Sequence, residues 1–236
     1  ITNNNNSVYI ITVGTTLNNK KKIITSFIKK TANEIKKVIK NNDLVILRST
    51  VKIGTTRELV FPLLKKKKIN FSLSYCPERA VEGSALKELE YLPQVIGGID
   101  KNSIIRSKKI FSKMTNKTIE TSNVETAEMI KLIDNSSRDV FFAYANEIAR
   151  ICDKIGINAN EVINSGKLKY DRTDIARPGL VGGPCLHKDP YIFSESVKKK
   201  GIKAEITLTA RNINERQPYE IVHFLKKLII KDNFRK

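Results

Sequence analysis

The chain has 236 residues, of which 40% are hydrophobic and 28% charged, so it can bury a substantial core and does not have a disordered composition. No apolar run reaches the roughly 20 residues that cross a bilayer, and the first residues lack a signal-peptide pattern. The three cysteines, Cys76, Cys152 and Cys185, are odd in number and widely spaced. This pattern is typical of a reducing compartment, and we expect a cytoplasmic protein.

Lysine and arginine number 43 against 24 acidic residues, and the net charge of +19 raises a nucleic-acid-binding hypothesis. The excess is mostly scattered lysine, and the runs 20–22, 65–68 and 198–200 have no interleaved aromatic residues. That distribution favours a solvated basic surface, so we expect neither a specific nucleic-acid partner nor a membrane. The positive electrostatic potential of such a surface would also attract a small substrate that carries phosphate.

Strands and helices alternate over about the first hundred residues. Short β-branched runs predict strands at 7–13, 44–47, 70–75 and 95–98. Apolar residues at helical spacing predict helices at 23–39 and 57–64. This alternation indicates a parallel sheet of the Rossmann type. Because no strand followed by G-x-G-x-x-G is present, we interpret the sheet as the C-terminal half of a Rossmann domain.

The second part of the chain is predicted to be helical. Helices are expected at 104–114, over the long stretch 124–155, at 160–164 and from 191 onward, with a loop through 183. The predicted fold class is therefore α/β, with half of a parallel sheet followed by an all-α domain built on a long central helix. The apolar surface of that helix favours a homodimer.

The segment 178–189, PGLVGGPCLHKD, places three glycines beside Cys185. Glycine lets the backbone approach a ligand closely, and cationic neighbours favour a thiolate. The pattern indicates a nucleophile, but a lone cysteine in a turn is more often a small buried hydrophobe. The residues alone leave both interpretations open.

Four polar residues at spacings of three or four share one face of the long helix: Glu128, Lys131, Asn135 and Arg138. Such a stripe either faces water or lines a site. Asn135 favours a site, because asparagine is a poor helix former and has no capping role at this position.

Two more candidates follow predicted strands, at the edge where open α/β sheets bind ligands. The segment CPERAVEG carries Glu78 and Glu82, which could act as bases or orient water, or could form an ordinary acidic turn. Arg48-Ser49-Thr50 offers hydroxyl groups at the same kind of position. Only two histidines are present and no metal-ligand spacing is found, so we expect no metal site.

Five segments in one order resemble the UDP-glucose/UDP-mannose dehydrogenase family: VYIITVGTTL, DLVILRSTVKIGTT, CPERAVEG, EMIKLIDNSSRDVFFAYANE and PGLVGGPCLHKDP. The likeness extends from about residue 8 to residue 216. The PER triplet and the GGPCLHKDP loop are similar to the branch that oxidises UDP-N-acetylmannosamine or UDP-N-acetylglucosamine at C6.

The resemblance implies that a UDP-N-acetylhexosamine is oxidised from the C6 alcohol to the uronate with two NAD, through a cysteine thiohemiacetal and thioester. It also implies a partial NAD-binding domain over 1–103, a helical dimerisation and catalytic domain over 104–203, and a linker helix over 204–236 that leads to a UDP-binding domain. On this interpretation the chain is a central fragment, inactive alone. UDP-glucose 6-dehydrogenase and a non-catalytic dimerising fragment remain alternatives.

Carried over residue by residue, the resemblance makes Cys185 the nucleophile and gives Lys131 and Asn135 the role of stabilising the oxyanion. Thr50 and Asp189 would hold the catalytic water and Lys131. Glu82 would serve acid–base steps and thioester hydrolysis. The implied cofactor contacts are Thr15, Thr50, Glu82 and Lys188, although the family's Val-Pro-Thr-Pro pattern reads Val-Gly-Thr-Thr here. The implied substrate contacts are Glu78, Lys131, Asn135, Arg172, Gly182 and Gly183.

Overall fold

A computed structural model describes residues 6–81 and 83–231 of the chain. The chain divides into two compact units. The first comprises Ile1–Ile133 with Tyr191–Ile202, and the second comprises Asp134–Pro190 with Lys203–Lys236. The three domains expected from the family resemblance, with limits at residues 103 and 203, stay a prediction.

The first unit is built on β-strands. Those described are β1 (Val8–Ile11), β2 (Thr16–Leu17), β3 (Ile23–Ile24), β4 (Leu44–Leu47), β5 (Ser72–Tyr75), β6 (Gln94–Gly98) and β7 (Thr118–Glu120). Five of them form one sheet in the order β1-β4-β5-β6-β7, and β2 pairs with β3 in a separate antiparallel ribbon. β4 pairs in parallel with both β1 and β5, and all four of its residues are buried, as a continuous apolar run in a parallel sheet requires.

Helices connect and follow the strands. They are α1 (Ser26–Val38), α2 (Phe61–Lys65), α3 (Ala85–Tyr91), α4 (Lys101–Phe111), α5 (Val124–Ile155), α6 (Ala159–Lys167), α7 (Gly183–Leu186), α8 (Asp189–Lys198) and α9 (Glu205–Lys231). A π-helical turn, Thr56–Val60, leads directly into α2. Within the described ranges, no helix is long and apolar enough to cross a membrane.

The predicted α/β class and the long central helix are confirmed, and α5 has the predicted limits of 124–155. The predicted Rossmann-type sheet is parallel at its other pairs, while β6 runs antiparallel to β5. A parallel return needs a crossover helix that packs on the sheet, whereas α3, the helix between these strands, has no buried residue. The helix predicted from residue 23 begins at Ser26, because the two isoleucines before it form β3.

The core of the first unit lies on both faces of the sheet. On one face, Leu47 and Leu73 belong to a cluster that includes Ile28 and Ile35 of α1. On the other face, Ile46 and Ile96 belong to a cluster with Cys76 and with Phe111 of α4. This packing fixes the carboxyl ends of β1, β4 and β5 at one edge of the sheet, where the candidate residues of this unit begin.

Gly97 provides a test of this packing. A Cβ at this position of β6 would lie 2.8 Å from the Cβ of Ala127 and 2.9 Å from the Cα of Val124. We expect Gly97→Ala to lower the free energy of unfolding by about 2 kcal/mol, because the backbone of α5 cannot yield as a flexible side chain would. Urea unfolding at equilibrium measures this change.

Gly166→Ala is the matched control, because nothing lies within 4 Å of a Cβ at that position of α6. Alanine there should leave the stability unchanged or raise it by about 0.5 kcal/mol. Equal losses in the two variants would contradict the close approach of β6 to α5.

Candidate active site

The carboxyl edge of the sheet carries an ion pair. Arg48 follows β4, donates a hydrogen bond of 2.9 Å to Oε1 of Gln94, and pairs with the carboxylate of Glu78. Burial raises the pKa of Glu78, but the Ala80 N–H and the Arg48 guanidinium outweigh burial, and the net pKa lies below its ordinary value. Glu78 is therefore ionised at neutral pH, which suits a hydrogen-bond acceptor better than a general base.

Thr15 and Thr50 meet at the same edge. The Thr15 hydroxyl is buried and donates to the main-chain oxygen of Thr50 at 2.9 Å, while Thr50 itself is half-buried. Thr15 therefore holds the main chain at Thr50, three residues after the end of β4. This bond does not involve the Thr50 side chain. Glu82, the expected acid–base residue, lies outside the described residues.

Glu128, the first residue of the predicted polar stripe, is fully buried. Its carboxylate accepts hydrogen bonds from Gly54 N at 2.5 Å, from Thr56 N at 2.8 Å and from Thr56 Oγ1 at 2.6 Å. It thereby satisfies N–H groups at the start of the π-helical turn, as a capping carboxylate does. Burial raises the pKa of Glu128 to about 7, against the opposing effect of these hydrogen bonds.

Asn135 is buried in the middle of α5 and has a specific partner. Its Nδ2 donates to Oδ2 of Asp189 at 2.6 Å, and the other carboxylate oxygen of Asp189 accepts from Lys188 Nζ at 2.5 Å. Asp189 is completely buried and begins α8, where the helix dipole also favours a negative charge. The unusual asparagine noted in the sequence is explained by this bond. Lys131, four residues earlier on α5, is half-buried.

Cys185 differs from the other two cysteines. It is exposed on the short helix α7, which begins at Gly183 with its left-handed φ of +90°, while the neighbouring Leu186 is buried and anchors the segment. Cys76 and Cys152 are buried, and burial raises the pKa of the Cys76 thiol to about 12. Cys185 is therefore the thiol that an external molecule can reach.

A cavity of about 260 Å³ lies beside the glycine loop in the second unit. Arg138 of α5, Arg177, Phe142 and Gly182 contribute to its lining, so two arginines border a space next to the Cys185 segment. Arg172 lies over the ring of Tyr170, with 4.8 Å from its guanidinium carbon to the ring centroid, and its contact with substrate stays a prediction.

The structure therefore brings together some of the predicted residues. Asn135, Lys188 and Asp189 are in contact, and so are Thr15 and Thr50. Lys131 belongs to the first unit and Cys185 to the second, so their approach stays a prediction. In residues 6–81 and 83–231, no group of three or more His, Cys, Asp or Glu side chains is placed to hold a metal ion.

Sequence reasoning missed Arg177 and, above all, Arg211. Arg211 lies on α9, is 1% exposed, and forms a 2.9 Å ion pair with Asp139 of α5. The sequence did contain a signal for Arg211. Arg211 and Asn214 are three residues apart in a predicted helix, so these two polar side chains share a face. Neither residue stands near the motifs that drew attention.

Comparison with known proteins places this geometry in a family. The model of the NAD binding domain of the UDP-glucose/GDP-mannose dehydrogenase family matches residues 2–115, and the model of its central domain matches residues 125–216. The chain belongs to the UDP-glucose/GDP-mannose dehydrogenase family. The family resemblance found in the sequence is confirmed, with GDP-mannose rather than UDP-mannose in the family's description.

The curated relatives are nucleotide-sugar dehydrogenases. UDP-N-acetyl-D-mannosamine dehydrogenase of Methanocaldococcus jannaschii is 39% identical over 229 residues, which are 95% of this chain and 52% of that protein. NDP-N-acetyl-D-galactosaminuronic acid dehydrogenase of Ralstonia nicotianae is 31% identical over 93% of this chain and 54% of that protein. The chain thus spans about half the length of the curated relatives it matches.

Solved structures agree with this assignment. The UDP-D-ManNAc dehydrogenase of Pyrococcus horikoshii superposes with a TM-score of 0.88 at 32% identity, covering 96% of this chain and 54% of that one. The UDP-N-acetyl-mannosamine dehydrogenase Cap5O of Staphylococcus aureus gives a TM-score of 0.83 at 32% identity over 98% of this chain and 54% of its own. NAD is the cofactor of this family's N-terminal domain, as the sequence predicted.

The raised pKa of Glu128 predicts a pH effect on stability. Because the folded-state pKa of about 7 exceeds the ordinary 4.5, this carboxyl stabilises the fold fully below pH 4.5 and loses that contribution as the pH rises through 7. The loss is on the order of 3 kcal/mol. Urea unfolding between pH 4.5 and 8 should show this decline in the wild type and not in Glu128→Gln.

Glu161→Gln serves as the control, because Glu161 is exposed in the first turn of α6. It should retain the wild-type decline. If Glu128→Gln also retains it, Glu128 does not titrate in the folded protein as described.

Proposed function

We propose that this protein carries the cofactor-binding and reactive parts of a nucleotide-sugar 6-dehydrogenase that oxidises a UDP-N-acetylhexosamine to its uronate. The observation that carries the proposal is an exposed thiol close in sequence to a buried polar pair. Cys185 is exposed and lies four residues before Asp189, and Asp189 accepts a hydrogen bond from Asn135 of α5. The names of the relatives support the N-acetylated substrate, with UDP-N-acetylmannosamine as the first choice.

NAD would accept hydride from C6 of the sugar in each of the two oxidations. The carboxyl edge of the sheet fits part of this cofactor, because Thr50 and Thr15 place hydroxyl groups where such sheets bind dinucleotides. The sequence contains no G-x-G-x-x-G turn, the usual donor of main-chain N–H groups to the pyrophosphate. Lys188, proposed from the sequence as a further contact, is paired with Asp189.

In the first oxidation the C6 hydroxyl would pass its proton to Glu82, the proposed acid–base residue, while C6 passes hydride to NAD, which leaves an aldehyde. Lys131 Nζ would stabilise the developing alkoxide by charge and hydrogen bonding. Asn135 has two N–H groups on Nδ2, and one of them is held by Asp189. The second N–H is thereby oriented and would donate to the same oxygen.

The second oxidation needs the thiol. An aldehyde carbon has no oxyanion to expel hydride, so Cys185 Sγ would add to C6 and move the carbonyl electron pair onto oxygen. The oxyanion then re-forms the carbonyl as hydride departs, which leaves a thioester. Water adds to this thioester, the C–S bond breaks with its electrons returning to sulfur, and a carboxylate and a proton are released. Glu82 is proposed to accept the proton of that water.

The substrate's diphosphate would lie against the two guanidinium groups beside the glycine loop. Arg138 and Arg177 contribute to a cavity there, and arginine binds phosphate oxygens in a bidentate manner. Gly182, also in the lining, would let the backbone approach the sugar closely. Glu78, ionised beside Arg48, is proposed to accept a hydrogen bond from a sugar hydroxyl.

A homodimer is part of the proposal. Large apolar side chains are exposed on the second unit's part of α5: Phe141, Tyr144, Ile151 and Ile155. Surfaces of this kind are commonly covered by a second copy in symmetric dimers.

The test uses a chimera in which this chain replaces the matching half of the M. jannaschii relative, since the chain alone should form negligible NADH. With UDP-N-acetylmannosamine and NAD, the chimera should form the uronate. Cys185→Ser should abolish uronate formation, because serine is a far weaker nucleophile. Lys131→Ala should slow it about a hundredfold, the usual loss on removing an oxyanion donor.

Cys152→Ser and Lys154→Ala are the matched controls, one at a buried cysteine and one at a lysine in the last turn of the same helix. Both should retain the activity of the chimera. Uronate formation at the wild-type rate in the Cys185→Ser chimera would rule out the proposed reaction.

A further inference from the structure

The segment that leads to Cys185 has little regular structure of its own. Between the end of α6 and the start of α7 the described chain forms neither helix nor strand, and added Cβ atoms at Gly179, Gly182 and Gly183 would meet nothing within 4 Å. The glycines that precede Cys185 therefore contribute no side-chain packing, and buried Leu186 anchors the segment only after Cys185. Since a nucleophile must be held in one orientation, some other group has to hold it.

The group is the buried side chain of Arg211. Its guanidinium donates to the main-chain oxygen of Leu186 at 2.8 Å and to that of Val181 at 3.1 Å. These two carbonyl groups flank the segment Gly182–Cys185 on its two sides. One rigid, planar fork on α9 thus binds the loop immediately before and immediately after the Gly-Gly-Pro-Cys segment.

The charge of Arg211 is compensated within the same unit. Its Nη1 lies 2.9 Å from Oδ1 of Asp139, which is fully buried on α5. Asn214, one turn along α9, donates at 2.9 Å both to this carboxylate oxygen and to the main-chain oxygen of Asp139. Asp139 Oδ2 and Arg211 Nε have no hydrogen-bond partner in the described part of the chain, although Oε1 of Glu215 lies 3.7 Å from that Nε.

The network continues to the other end of the loop. Asn214 Oδ1 accepts a 2.9 Å hydrogen bond from Nδ2 of Asn146, and Asn146 Oδ1 accepts from Gly179 N at 2.8 Å. Both asparagines are 1% exposed. Two side chains of α5 and two of α9 therefore hold the loop at Gly179, Val181 and Leu186.

We infer that Arg211 is a positioning residue that fixes the orientation of the Cys185 thiol. This inference rests on the proposed function of Cys185 as the nucleophile and adds the group through which that nucleophile is held. Arg211 does not touch the reacting atoms. Its role is to keep the sulfur in one place while C6 of the sugar is attacked, because small displacements of reacting groups are costly.

The test is a fluorine NMR measurement on the 236-residue chain after alkylation with bromotrifluoroacetone. Cys185 is the exposed cysteine, so the label enters there, while Cys76 and Cys152 are protected by burial. The wild type should give one sharp resonance. Arg211→Lys keeps a charge opposite Asp139 but loses the planar fork, so the resonance should split or broaden markedly.

The control is Arg150→Lys, at an arginine on α5 whose guanidinium lies 3.6 Å from Glu147 at the surface. It should give the wild-type spectrum. Thermal unfolding of each variant separates positioning from simple destabilisation, because a merely structural role would lower the midpoint while the folded protein keeps one sharp resonance. A sharp wild-type resonance in folded Arg211→Lys would overturn the inference.

Asn146→Ala keeps the test decisive if Arg211→Lys does not fold, because it removes the bond to Gly179 and leaves the Arg211–Asp139 pair intact. It should also broaden the label's resonance, and an unchanged spectrum would count against the network. This readout does not depend on turnover. Unchanged spectra in these variants would refute the positioning role and leave the proposed reaction standing. Full activity of the Cys185→Ser chimera would instead refute the reaction and leave the positioning role standing.

Discussion

The buried carboxylate of Asp189 is the constraint on which the candidate site depends. A charge without solvent must be paired, and Asp189 satisfies this by accepting from Asn135 of α5 and from Lys188. Because Asp189 lies four residues after Cys185, this pairing ties the end of the cysteine-bearing segment to the long helix. In the proposed reaction, the second N–H of Asn135 would donate to the oxyanion.

The long helix repeats this arrangement along its length. Four of its buried polar side chains each bind another segment of the chain: Glu128 binds the turn at Gly54 and Thr56, Asn135 binds Asp189, Asp139 binds Arg211 of α9, and Asn146 binds Gly179. Their spacings of seven, four and seven residues place them on one face. The helix therefore acts as the frame that orders loops without regular structure, which is where family chemistry is expected to reside.

Strong periodicity made part of this molecule predictable. The limits of α5 follow from 32 residues of helical pattern, and β4 follows from a continuous apolar run. Asn135 drew attention because it is a poor helix former without a capping role, and the structure pairs it with Asp189, while its role in a site stays a prediction. Cys185 was recognised from its glycines, although the residues alone left its role open.

The remainder depends on contacts distant in sequence, which periodicity does not record. Glu128 was grouped with Lys131 as a surface or site stripe, yet it is buried against the π-helical turn. The antiparallel direction of β6 depends on how α3 packs, and the roles of Arg211 and Asp139 depend on each other. Buried polar pairs of this kind are visible only when both partners are placed.

The central proposal is that the Cys185 thiol and the Lys131 ammonium meet around one sugar carbon. A short maleimide–succinimidyl cross-linker, followed by peptide mass spectrometry of the native chain, tests this meeting directly. The account predicts that Cys185 is joined to Lys131 and that this product disappears in Lys131→Ala. Reaction of Cys185 with other lysines and none with Lys131 would contradict it.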